Sequence, residues 1–221
     1  MMLTLEGFDV LLLPLMLGII SLAEVHRSAY GVLIKRMEDL RQSERGMQSF
    51  LFVVIRALSL SLLGIFFGLL SERFFGSSVI RNALPFENAE YLFLGMFYIL
   101  IGLIGIMYLH TKSAFPIVSM VKEEHKEKLP LGMSYGLVMP TGSLPILIAL
   151  LAKALVSNSA LLSMVSLFLY GLGIALPTVL LIYSKKCHAL SEKYLKLQHS
   201  YAAVVVVVIL GVYEMVKSFL Y

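Results

Sequence analysis

Six stretches of this chain are apolar over close to the length that a helix needs to cross a lipid bilayer. About 20 apolar residues in a helix cover the hydrocarbon. The stretches run from Phe8 to Ile34, Gln48 to Leu70, Tyr91 to His110, Gly132 to Val156, Ala160 to Tyr183 and Tyr201 to Leu220. A backbone in lipid must satisfy its own hydrogen bonds, so segments of this length and apolarity are expected to be helical. The expected fold class is therefore all-α: a polytopic membrane protein with six transmembrane helices in a single domain over residues 1–221. Composition agrees, since 59% of the residues are hydrophobic and 14% charged. Soluble domains sit nearer half apolar and a quarter charged.

The loops predict an orientation. Lys35, Arg36, Arg41 and Arg45 lie in loop 1, Lys112, Lys122, Lys126 and Lys128 in loop 3, and Lys185, Lys186, Lys193 and Lys196 in loop 5. The opposite side carries Arg73, Arg81 and Lys217. Basic residues stay cytoplasmic, so loops 1, 3 and 5 are expected inside and both termini outside, in a multi-pass protein of the plasma membrane. The net charge of +4 is explained by these loops and calls for no nucleic acid. The start, MMLTLEGFD, holds Glu6 and Asp9 in place of a positive n-region and is not expected to act as a removable signal peptide. With Cys187 as the single cysteine, an intrachain disulfide, a CxxC redox pair and a cysteine-based metal site are excluded. Cys187 beside His188 is read as an ordinary loop pair, and the mixed-sign run VKEEHKEK as a solvated loop or short amphipathic helix.

Two of the six stretches are interrupted. The first carries AEVHRSAYG, residues 23–31, and the fourth GLVMPTGSLPIL, residues 136–147. Pro140 and Pro145 each remove a backbone donor and crowd the preceding turn, and Gly142 adds freedom. Three helices followed by three, each triplet opening with an interrupted member, is the pattern of an inverted repeat, and paired broken helices point to a transport site. Simple packing kinks are the competing explanation. Pro177 is expected to kink the fifth helix beside the close-packing Gly171 and Gly173, while Gly64 and Gly68 form a GxxxG pair in the second. The run Val204 to Val208 reads as lipid-facing.

Intramembrane charges are costly and face a partner or a cavity. Glu24 and Arg56 lie ~15 and ~12 Å from the cytoplasmic edge at ~1.5 Å rise per residue, so an ion pair between them is expected, with His26 and Arg27 alongside. Such a cluster either locks helix 1 to helix 2 or forms a proton or solute site. Glu24→Gln is then expected to cost more than Glu214→Gln, since Lys153, Glu214 and Lys217 read as snorkelling residues near helix ends. Glu24 with His26 could also serve a divalent-metal exporter.

The stretches LYGLGIALP, Leu169 to Pro177, and PTGSLP, Pro140 to Pro145, together with HRSAYGVLI in helix 1, resemble the transmembrane cytochrome c biogenesis proteins of the CcdA/DsbD type, in the LysE-like transporter clan. The resemblance covers most of the chain. In that family a cysteine in helix 1 and a second in helix 4 cycle between dithiol and disulfide. Ser28 and Thr141 stand at those two positions here, and a hydroxyl cannot do thiolate chemistry. The resemblance thus implies the fold without the electron-carrying activity.

Two functions follow as expectations. One is a transporter-like protein moving a small solute or proton along the seam of helices 1 and 4, lined by Glu24, His26, Arg27, Ser28, Arg56, Pro140, Thr141, Gly142 and Pro145. The other is a non-transporting scaffold or assembly partner in cytochrome c or thiol-redox maturation. A cavity at the seam favours the first and a packed seam the second. No catalytic motif is present, so enzyme activity, a cofactor and a bound metal are not expected. Partners are membrane lipid and either other membrane proteins or a second copy of the chain.

Overall fold

The structure is a computed structural model that describes residues 11–21, 29–74, 89–111, 129–138, 143–157, 159–183 and 200–220. Among these residues the architecture is all-helical and no β-strand occurs. The first apolar stretch carries α1 (Leu13–Ser21) and α2 (Ala29–Glu38), and the second α3 (Gln42–Phe74). The third carries α4 (Ala89–Thr111), and the fourth α5 (Leu131–Gly136) and α6 (Leu144–Val156). The fifth and sixth carry α7 (Ala160–Tyr183) and α8 (Ser200–Leu220).

Helix α3 begins at Gln42, earlier than the apolar stretch. Its opening turns, QSERGM, are polar yet rich in helix formers, and Glu44 in the first turn faces the positive end of the helix dipole. Likewise α2 runs on past Ile34 with Lys35 and Arg36 in its last turn, where cations are favoured. Arg45 joins the two: its Nε donates to the Met37 carbonyl at 2.9 Å and its Nη2 to that of Leu40 at 3.2 Å. The α2–α3 corner is thus held by a basic residue that composition alone assigns to a loop.

Close helix crossings are set by small residues. A Cβ on Gly64 would stand 2.5 Å from the Ser163 carbonyl oxygen and 2.9 Å from Met164 Cα, both on α7. Gly68 meets Ala160 in the same way. A Cβ on Gly171 would lie 2.9 Å from Ala57 Cα. Helices α3 and α7 therefore cross backbone to backbone. Gly18 and Gly173 bring α1 onto α7, and Gly95 with Gly211 brings α4 onto α8. The α4–α8 contact corrects the expectation for the valine run: Val204 and Val207 are buried, Val204 against Gly105, and only Val205 of the three is exposed. Helix α7 continues through Pro177.

Further contacts join α5 to α3, α6 to α3, α2 to α7, α2 to α5, and α1 to α6, and α6 also packs on α4 and α8. The core contains Leu17, Phe52, Leu60, Ile146, Leu167 and Ile174. Outside it, Leu58, Leu62, Phe66 and Leu69 of α3 and Phe93, Met96, Leu100, Leu103 and Met107 of α4 are exposed. Monomeric soluble proteins rarely expose apolar faces of that extent. Two helices, Gln42–Arg73 and Ala160–Tyr183, are long and apolar enough to cross a membrane by length and composition. Tyr91–Met107 and Leu144–Val156 are shorter apolar helices among the described residues.

Candidate functional site

The site forms where α1 and α5 end and α6 begins. Helix α5 stops at Gly136, with Leu137 as its C-cap. The sequence accounts for the stop: Pro140 has no N–H to return to the Gly136 carbonyl, and a proline ring conflicts with the carbonyl four residues back. The last carbonyls of a helix need other donors, and Arg56 of α3 supplies them. Its Nη1 donates to the Val138 carbonyl at 2.9 Å and approaches that of Gly136 at 3.5 Å. Arg56 is fully buried. Its positive charge at the C-terminal end of α5 also complements the helix dipole.

The second half of the site centres on Tyr170 of α7, which is also fully buried. Its hydroxyl lies 3.1 Å from Ser21 Oγ, on the last residue of α1, and 3.3 Å from the carbonyl oxygen of Ser143, the N-cap of α6. Ser21 Oγ in turn donates to the Leu17 carbonyl at 2.8 Å. With the serine proton on Leu17, the tyrosine proton is shared between Ser21 Oγ and the Ser143 carbonyl. Tyr170 therefore ties the end of one segment to the start of another across the seam. Pro145 is buried in the first turn of α6, where its missing N–H costs nothing.

Of the residues expected to form the pathway, Arg56 and Pro145 reach this region. Glu24, His26, Arg27, Ser28, Pro140, Thr141 and Gly142 lie outside the described residues, as do Cys187, His188 and the VKEEHKEK run. The expected Glu24–Arg56 pair therefore has one described member. Composition pointed neither to Tyr170 nor to Ser21 and Ser143. A tyrosine midway along an apolar stretch is the signal, since a buried phenol needs a partner.

A second polar cluster corrects an expectation. Glu214 of α8 is not a surface residue: its side chain is 3% exposed and Oε1 lies 3.9 Å from Nζ of Lys153 on α6, a nitrogen that is itself buried. Lys217, one turn on, sits 4.6 Å from the centre of the Tyr91 ring on α4. Among the described residues no three His, Cys, Asp or Glu side chains converge as metal ligands.

No family model matches this chain, and no curated protein or solved structure does. Its class rests on the fold and the seam: an all-helical chain with two membrane-length helices and buried polar groups where helical segments end.

Proposed function

We propose that this chain is a six-span membrane protein built as an inverted 3+3 repeat, which moves a small solute or a proton along the seam between its interrupted first and fourth helices. One observation carries the reading: the first segment of each interrupted stretch ends on a buried polar side chain from the long helix of the other half, α1 on Tyr170 and α5 on Arg56. Exchanging the halves sends α1, α2, α3 and α4 to α5, α6, α7 and α8. That exchange turns the α1–α7 contact into α5–α3, α2–α7 into α6–α3 and α2–α5 into α6–α1, all of which occur, whereas the packing of α6 on α4 and α8 is not matched by comparable packing of α2. The residue offset that carries Ser21 onto Gly136 also carries Arg56 onto Gly171, the neighbour of Tyr170. Half-helix ends meeting at mid-membrane present carbonyls and N–H groups to a solute in many transporters.

The resemblance to the CcdA/DsbD type supports the same helix arrangement. Ser28 and Thr141 in place of its cysteines argue against electron transfer. A second reading, a scaffold in thiol-redox or cytochrome maturation, draws on the complete burial of Arg56, Tyr170, Ser21 and Ser143. A packed seam suits a scaffold, and an occluded state of a transporter looks the same.

Flux decides between them. In liposomes holding a pH-sensitive dye, and in swelling assays with small neutral and ionic solutes, the wild-type protein should exceed protein-free vesicles. Tyr170→Phe should retain the fold, losing about 1–2 kcal/mol with one buried hydroxyl, yet slow the flux. Wild-type vesicles as tight as empty ones to protons and to every solute would leave the scaffold.

Orientation is tested separately. A cysteine placed in loop 2, in a Cys187→Ala background, should react with an impermeant thiol reagent from outside the cell. Reaction only from the cytoplasmic face would reverse the topology.

A further inference from the structure

The proposed pathway makes no use of Glu214, a nearly buried carboxylate on α8. Its partner Lys153 belongs to α6, the segment whose first residue follows Ser143 at the seam. Lys153 lies ten residues beyond Ser143, or ~15 Å along the helix at ~1.5 Å per residue. One end of α6 thus meets Tyr170 and the other meets Glu214. Both charged ends are enclosed: the Lys153 nitrogen is buried although its side chain is 24% exposed along its length, and the Glu214 side chain is 3% exposed. Their separation of 3.9 Å is long for a charge-assisted hydrogen bond.

Among the described residues, few other charges lie on the segments that pack against this pair. Lys153 is the only charged residue of α6, and α1 has none. On α8 the neighbours are Tyr213 and Lys217, the latter over the Tyr91 ring. Helix α4 contributes Tyr91 and the buried Tyr98 to its described side chains, while those of Glu90 and His110 lie outside the description. Lys153 is thus the described cation on a neighbouring segment closest to the carboxylate.

We propose that Glu214 is a proton-binding site and that, with Lys153, it forms a proton-operated latch on the outer end of α6. The step balances simply. A proton from the outer water binds a Glu214 oxygen, the carboxylate loses its charge, and the Lys153 ammonium swings into water with its own charge unchanged. A buried carboxylate left ionised without its cation would be strongly unfavourable, so opening and protonation occur together. With the latch open, α6 is free to move and its seam end becomes accessible from outside. The inference rests on the membrane reading above, and its test is separable from the flux assay.

The full chain in intact cells, carrying Cys187→Ala and a reporter Ser143→Cys, is labelled with an impermeant thiol reagent at neutral and at mildly acidic external pH. In the otherwise unmodified chain, acid should speed labelling about tenfold by shifting the population towards the open form. Glu214→Gln should label fast at both pH values, and Lys153→Glu with Glu214→Lys should label slowly at neutral pH. A second reporter, Ser21→Cys, replaces the first if that variant does not fold. Slow labelling of folded Glu214→Gln, or an acid response that persists in it, would overturn the latch even where wild-type flux is present. A latch that responds in a protein without flux would instead remove the transport proposal and leave the proton site.

Discussion

Arg56→Met is expected to lower the midpoint of thermal unfolding in detergent by about 10 °C, from a loss of ~3–5 kcal/mol. The side chain is fully buried and its guanidinium holds the carbonyl end of α5. Methionine keeps apolar volume but offers no donor, so the Val138 and Gly136 carbonyls lose Nη1 together. Arg56→Lys should fall between the two, because an ammonium keeps the charge without the planar fork. The proposed pairing adds a condition. If Glu24 is the counter-charge, Glu24→Gln alone should also destabilise, and Glu24→Gln with Arg56→Met should recover much of the loss. Glu214→Gln is no inert reference for that comparison, since Glu214 is itself buried and ion-paired. An unfolding midpoint for Arg56→Met equal to wild type would show that the end of α5 does not depend on Arg56.

Gly173→Leu should be comparably damaging for a different reason. A Cβ at this position would run into the Leu15 carbonyl oxygen and lie 3.0 Å from Gly18 Cα. These neighbours are backbone, which cannot turn aside as a flexible side chain can. Helix α1 must therefore separate from α7, and overpacking of this kind costs ~1–3 kcal/mol or more. The separation also draws Ser21 from Tyr170, so the seam is lost with the packing. Gly46→Ala is the control. Its Cβ would meet only Tyr183 Oη at 3.6 Å, an ordinary contact, and alanine in a helix gains up to ~1 kcal/mol over glycine. In the same detergent melt Gly46→Ala should equal or exceed wild type, and Gly173→Leu should fall about 5–10 °C below it. Equal midpoints for the two variants would mean that α1 is not packed against α7 in solution.

The linear order of residues determined where helices occur and where one of them stops. Apolar runs bounded by charge specify helices, because a covered backbone must bond to itself. Pro140 and Pro145 mark in the sequence where a helix cannot run on unbroken, and α5 stops at Gly136. Even so, α3 and α2 extend past their apolar runs. Polar turns such as QSERGM form helix without raising hydropathy, so their ends were not legible from apolarity. Which groups meet was decided by the tertiary structure alone. Val204 turned inward because Gly105 on α4 leaves room for it, and Val207 is buried as well, although five consecutive valines carry no sign of a face. Glu214 is buried with Lys153 of α6 alongside, and nothing on α8 itself records that. Tyr170 joins Ser21 to Ser143, residues 149 and 27 positions away in the chain. Hydropathy is a property of one segment, whereas burial and hydrogen bonding depend on the segment that covers it. The seam therefore exists only once the helices are packed.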